Sequence, residues 1–250
     1  MSVLPLLAAA AFALADPAGD AHGDGSYVLP THPTVNADAL DLREFGAQDA
    51  GDKMRFTVGF GAVSNPWHLS SGYSDGVTDI FVKTGLGGSY DLTGLNLRTA
   101  GAGGWEYHLR VSGAGAQLEQ FVENGTAPAA LPTPQVTRQG TTLVIDSAIP
   151  AGQYGYWVTS SVYTPLSADG LLQPTTQAGP GNLQAARAGA PVPVDVLAPA
   201  SDYSAYQTHE LAPAGQSRDL RVWSLGALGG AGLLLTLLAT WQLRRTGRFH

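Results

Sequence analysis

The sequence predicts an all-β protein, an antiparallel β-sandwich of jelly-roll type, followed by one C-terminal transmembrane helix. Three observations predict this. Short runs rich in β-branched and aromatic residues recur through the chain, separated by Gly, Pro, Asn or Asp turns. Before residue 223 no run carries convincing helical periodicity. Residues 223–243, WSLGALGGAGLLLTLLATWQL, hold no charge. At ~1.5 Å per residue they cover the ~30 Å hydrocarbon layer.

Taken in order, residues 1–15 (MSVLPLLAAAAFALA) are uncharged and end in the small-residue pattern Ala13-Leu14-Ala15. They are too short to span a bilayer but match a signal-peptide core with an A-x-A cleavage site. The expectation is a signal peptide over 1–15, with Asp16 opening the mature chain. Strands are expected at KMRFTVGFGAV (53–63), VTDIFVKT (77–84), WEYHLRVSG (105–113), QLEQFVENG (117–125), TTLVIDSAI (141–149) and GYWVTSSVYT (155–164). In the first of these Met54, Phe56, Val58 and Phe60 alternate with Arg55 and Thr57, which places the apolar set on one face. One module therefore occupies 16–200, long enough for a substantial core. Residues 201–222 read as a polar stalk. Trp223 and Trp241 sit near the ends of the apolar segment, and Arg244, Arg245 and Arg248 follow it. Residues 244–250 are then a cytoplasmic tail by the positive-inside rule. The expected location is the cell membrane, single-pass, with the sandwich extracytoplasmic.

There is no cysteine, which excludes a disulfide framework and any cysteine metal site. Between Asp16 and Ser217 stand 19 Asp and Glu against 8 Lys and Arg, a net of −11. That balance argues against nucleic acid as a partner and suits divalent cations.

Three acids, Asp16, Asp20 and Asp24, recur every fourth residue in DPAGDAHGDGSYVLPT (16–31). Calcium takes six to eight oxygens from carboxylates, carbonyls and water. Gly19, Gly23 and Gly25 let carbonyls of this loop turn inward, and Asp79 is placed to add a ligand from the sandwich. The spacing alone leaves solvated turn aspartates as the other reading.

The blocks DPAGDAHGDGSYVLPT, LDLREFGAQDAGDKMRFTVGF, NPWHLSSGYSDGVTDIFV, GWEYHLRV and PVPVDVLAP occur in this order. Together they resemble the glucodextranase C-terminal module, a DOMON-like β-sandwich related to family-nine carbohydrate-binding modules, over roughly residues 16–200. The resemblance implies a non-catalytic appendage of glucan-active enzymes or surface proteins, with related modules binding sugars and structural calcium. This chain departs from the family where Ala21 and His22 follow Asp20, and where Val82-Lys83-Thr84 replaces an aspartate-rich turn. Around Gly170 the resemblance fades.

A sugar site needs an aromatic platform beside polar groups that read hydroxyls. Trp67 lies in a loop signal with Asn65, His68 and Tyr73 around it, and Trp105 opens a strand signal, so these five are the candidate ligand-binding residues. Trp157 is flanked by strand formers and belongs to the core. Met54 and His108 are the available pair for haem, which some DOMON relatives bind. No nucleophile elbow, zinc-protease motif or phosphate loop is present, and nothing pairs Glu106, Glu119 or Glu123 across a cleft. The expected function is a membrane-anchored carbohydrate-binding module, non-catalytic and stabilised by calcium. The alternative is a structural or assembly protein of the cell envelope that binds another protein.

Overall fold

The structure is a computed structural model that describes residues 11–125, 127–198 and 203–216. In chain order the strands begin with β1 (Ala11–Ala15), β2 (Leu42–Ala50), β3 (Lys53–Phe60), β4 (Gly76–Lys83), β5 (Asp91–Leu92) and β6 (Leu97–Thr99). Next come β7 (Tyr107–Ser112), β8 (Gly115–Gln120), β9 (Ala129–Ala130), β10 (Gln135–Gln139), β11 (Thr142–Pro150) and β12 (Gly155–Val162). Two-residue strands follow: β13 (Pro174–Thr175), β14 (Leu183–Gln184), β15 (Asp195–Val196), β16 (Glu210–Leu211) and β17 (Ala214–Gly215). A 3-10 turn, Ala37–Ala39, and a short helix α1, Ser204–Thr208, are the helical elements among the described residues.

The first sheet has the order β1-β2-β3-β11-β10, and the second β15-β12-β4-β7-β8-β9, with β17 also pairing β12. Every pairing within these two sheets is antiparallel. Each of the six expected segments holds a strand, although the one expected over 117–125 ends at Gln120. The sheets meet over an inner core in which Phe45, Met54, Phe56, Val58 and Ile145 of the first face Ile80, Leu109, Tyr156 and Val158 of the second. In β11 the alternation Leu143, Ile145, Ser147, Ile149 points inward, and the Ser147 hydroxyl is satisfied by donating to the Met54 carbonyl at 2.9 Å.

The second sheet is buried on both faces. Its outer face carries Val77, Phe81 and Trp157, covered by connecting segments that supply Tyr27, Leu92, Leu95, Leu183, Val192 and Tyr206. This is why β12 is buried at all eight positions and why it carries no charged residue.

Two boundaries differ from the sequence expectation. Ala11–Ala15, the end of the expected signal peptide, is an edge strand paired with β2 from Ala11↔Gln48 to Ala15↔Glu44. The Phe12 ring packs 5.4 Å from Tyr156 and 6.2 Å from Phe45, and the Asp16 amide donates to the Arg43 carbonyl at 2.9 Å. Cleavage after Ala15 would remove this strand. At the other end, the described part of the expected stalk, 203–216, is packed: Ala205, Tyr206 and Leu211 are buried, β16 pairs β6, and the Trp157 indole donates to the Leu211 carbonyl at 2.8 Å. Short two-residue strands leave no periodic trace, so a packed return segment reads as polar linker. The expected helix 223–243 and tail 244–250 lie outside the described residues, as do residues 1–10. Among the described residues no helix is long and apolar enough to cross a membrane.

On the outer face of the second sheet sits a buried ionic network. His108 places Nε2 2.7 Å from Asp79 Oδ1 and Nδ1 2.9 Å from Glu119 Oε1, while Arg110 Nε donates to Asp79 Oδ1 at 2.6 Å. The imidazole stacks on Phe81 at 4.1 Å. Both ring nitrogens meet carboxylates, which only accept, so the ring must carry both protons. Burial alone would lower the His108 pKa, but its bonds to Asp79 and Glu119 outweigh it and raise it. Burial would likewise raise Asp79, and Arg110 and His108 hold it low instead.

Two outcomes are expected. A group whose folded pKa is raised contributes stability in full below its unfolded pKa, ~6.5 for His, and loses it as pH rises through the folded pKa. Stability should therefore fall as pH rises above ~6.5, and His108→Gln should flatten that part of the profile in chemical denaturation. For β1, Phe12→Ala should destabilise by about 2 kcal/mol, less than the roughly 3–5 kcal/mol of a fully buried ring. An unchanged denaturation midpoint would show that the strand contributes nothing.

Candidate functional site

The first loop folds back across the end of β15. Gly19, Gly23 and Gly25 take φ of 84°, 62° and 86°, values that favour glycine. The Gly19 amide donates to Asp41 Oδ2 at 2.7 Å and the Gly23 amide to the Val194 carbonyl at 2.8 Å. Tyr27 anchors the far end by donating its hydroxyl to the Pro191 carbonyl at 2.6 Å.

This path brings Asp16 and Asp20 to Asp195: one carboxylate oxygen from each lies within 4.8 Å of the others. Asp16 and Asp195 are 8% and 3% exposed, so water does little to screen them. Asp16 Oδ1 accepts from the Ala198 amide at 2.7 Å, and Asp195 accepts from the Leu42 and Val196 amides at 2.7 and 2.8 Å. Asp41 lies beside them, paired with Arg43 Nη2 at 2.7 Å. Burial pushes Asp16 up to about 7, with Asp20 and Asp41 adding to the rise. Burial pushes Asp195 up to about 8, with the nearby Asp16 adding to the rise. Burial also raises Asp41, against the Gly19 amide and Arg43, which lower it.

Several buried oxygens here have no hydrogen-bond partner: Asp16 Oδ2, Asp20 Oδ1, Asp41 Oδ1 and the hydroxyls of Ser160 and Tyr206. Ser160 stands opposite Asp195 in the β12–β15 register. Such orphaned acceptors cost free energy unless something fills them. An all-oxygen donor set with excess negative charge fits a hard divalent cation such as calcium. Asp16, Asp20 and Asp195 are the residues that would hold it.

The other expected ligands fall elsewhere. Asp24 is turned to solvent, where its carboxylate accepts from the Ser26 amide at 3.0 Å and from the Ser26 hydroxyl. Asp79 is the anion of the His108–Arg110 network, so its position on β4 serves charge balance, not the cluster. The sequence signal for Asp195 was a lone acid inside the apolar run PVPVDVLAP.

The expected sugar platform is also rearranged. Asn65, Trp67, His68 and Tyr73 share the β3–β4 connection, but hydrogen bonds within the protein consume the polar groups of Asn65 and Tyr73. Asn65 Oδ1 accepts from the Leu69 amide and the Ser74 hydroxyl, and its Nδ2 donates to the Leu69 carbonyl. The Tyr73 hydroxyl donates to the Ser112 carbonyl at 3.1 Å. Trp67 is half-buried against the outer core, its indole nitrogen shielded from solvent. His68 sits at φ 53° in the same loop. Trp105, 1% exposed, is core: its ring packs 5.5 Å from Phe81 and its indole donates to the Asp91 carbonyl at 2.8 Å. Met54 lies in the inner core and His108 under the outer layer, so they do not form a ligand pair.

Beside the carboxylate cluster is a recess of about 210 Å³, lined by Gly19, Ala21, His22, Tyr27, Leu29, Ala37, Asp38 and Asp41. A larger groove of about 820 Å³ runs from Phe12 and Leu14 to Leu211 and Pro213, and its mainly apolar walls suit a hydroxyl-rich ligand poorly.

A search of curated proteins returns no match. A family model matches residues 11–211, a span that opens with β1 and closes with β16. Its description is the C-terminal binding module, SLH-like, of glucodextranase. Covering most of the chain, the match shows that this protein belongs to the family of glucodextranase C-terminal binding modules.

Proposed function

We propose that this chain is a non-catalytic module that binds carbohydrate outside the cell membrane and is held together by calcium. The observation that carries the carbohydrate reading is the family match over residues 11–211 to a binding module of glucodextranase. The partner in this reading is a polysaccharide, either a glucan or an envelope glycan. Calcium is supported by three acids that converge with unfilled, buried oxygens. Its role is structural: an ion there fastens the first loop to β15 and so joins the two ends of the module. Export and single-pass anchoring rest on the apolar N-terminus, on residues 223–243 and on Arg244, Arg245 and Arg248. In this reading β1 stays with the mature chain.

Calcium binding to the folded state stabilises by mass action, about 2.7 kcal/mol at 100 times the dissociation constant. Excess calcium should raise the melting temperature of the full chain over that in chelator. Asp20→Asn and Asp195→Asn should each blunt the rise, whereas Asp24→Asn should leave it intact. Identical melting curves in calcium and chelator would overturn the structural ion. For the glycan, the full chain in detergent should be retarded in native gels cast with at least one neutral polysaccharide (dextran, amylose, xylan or a β-glucan). Mobility unaffected by every polymer would overturn the carbohydrate reading.

A further inference from the structure

We infer that the recess beside the carboxylate cluster is the glycan subsite, that it takes one neutral pyranose ring, and that the bound cation sets its wall. The inference rests on the carbohydrate reading above. At about 210 Å³ the recess is smaller than the roughly 300–1,000 Å³ of sites for drug-sized ligands, which fits a single ring and not an extended chain.

Its walls have the two textures that a sugar needs. Tyr27, Leu29 and Ala37 offer apolar surface for the C–H face of a ring. Asp38 and His22 offer polar groups for hydroxyls. The Asp38 side chain is 63% exposed and its nearest cation, Arg43, is 3.9 Å away, so its oxygens remain open to accept. The Asp38 backbone is fixed independently: its amide donates to Asn36 Oδ1 at 3.1 Å and its carbonyl accepts from the Ala62 amide at 2.8 Å. His22 is steadied by the Tyr203 hydroxyl, 3.3 Å from Nε2. An acceptor on a fixed backbone turn, lining the same recess as an imidazole, reads hydroxyls at reduced entropic cost.

Charge selects the ligand class. Asp38 and Asp41 line the recess, and the Asp16–Asp20–Asp195 cluster adjoins it. A uronic or otherwise acidic sugar would meet carboxylates of its own sign, so neutral rings are favoured.

The cation enters through connectivity. Asp20, one of the three converging acids, stands between Gly19 and Ala21, both of which line the recess. Asp41 lines it too and accepts from the Gly19 amide. One loop therefore supplies both the ion site and the sugar wall. An ion that holds Asp20 holds the wall.

The test uses the full chain in detergent and the native-gel assay, with alginate as an acidic control. The polymer that retards the wild type best serves as the probe. Asp38→Ala and His22→Ala should each weaken retention at least tenfold at an unchanged melting temperature, and Asp38→Asn should be intermediate. Chelator should weaken wild-type retention to a similar extent, calcium should restore it, and alginate should have no effect. Wild-type retention in both rim variants would overturn the subsite and leave the carbohydrate reading standing. Retention indifferent to chelator, while chelator lowers the melting temperature, would overturn the cation's part. Preference for alginate would overturn the neutral-ring assignment. No retention on any neutral polymer would overturn the carbohydrate reading and this inference together.

Discussion

Burial of the second sheet on both faces is the constraint on which the rest of this structure depends. A sandwich needs only its inner faces covered, and the inner core around Phe45, Phe56 and Tyr156 does that. The outer face of β4 and β12 also carries large apolar side chains, Val77, Phe81 and Trp157, whose exposure to water would be costly. The chain supplies the cover from its connections and from both ends of the module. Tyr27 comes from the first loop, Leu92 and Leu95 from the β5–β6 region, and Tyr206 and Leu211 from the return segment. Because those pieces must converge on one sheet, the beginning and end of the module meet. The carboxylate cluster lies where they meet.

Two solutions to burying charge then stand a few strands apart. In the His108 network two cations answer two anions, and hydrogen bonds join them. Breaking such a set by removing one member strands the others, which makes it stiff and conditional on protonation. The aspartate cluster is unbalanced: Arg43 pairs with Asp41, while Asp16 and Asp195 are left with raised proton affinity. A fold that retained such a cluster without a counter-ion would be paying a standing desolvation cost. The contrast between the two sites separates a self-balanced charge network from a cluster with unanswered negative charge, which is what supports the proposed structural ion.

The main strands were legible because their side chains report one environment at a time. β3 alternates, and β4 and β12 are rich in β-branched and aromatic residues. β2 was not legible, since an irregularity between Leu42 and Glu44 shifts its register, and Leu42 and Phe45, three apart, are both buried. β1 was hidden by ambiguity: Ala-Phe-Ala-Leu-Ala is equally the end of a leader and an alternating edge strand. Asp16 and Asp20 were legible as candidate ligands through their glycines. Asp195 was not, because its partners lie more than 170 residues away and only the covering layer unites them. The burial of the aromatic candidates was not legible for a related reason. Trp67 does lie in a loop, but that loop packs against the outer core, so loop position and exposure part company.

The same covering layer ties stability to recognition. A recess walled by a loop cannot be more ordered than the loop, and this loop is fixed at three points: Gly19 on Asp41, Gly23 on Val194 and Tyr27 on Pro191. Between the first two stand Asp20, Ala21 and His22: one member of the carboxylate cluster and two residues lining the recess proposed as the glycan subsite. Backbone bonds also run through this tripeptide: the His22 amide donates to the Asp20 carbonyl at 2.7 Å, and the His22 carbonyl accepts from the Gly25 amide at 3.0 Å. In the proposed reading, a cation would hold the Asp20 side chain against Asp16 and Asp195 and so add to these bonds. The departure from the family pattern after the Gly-Asp pair, where Ala21 and His22 stand in place of a second acid, then gains a physical sense. A further carboxylate would add charge to an already overloaded cluster, whereas a small wall residue and an imidazole leave room for a ring and a group to meet it.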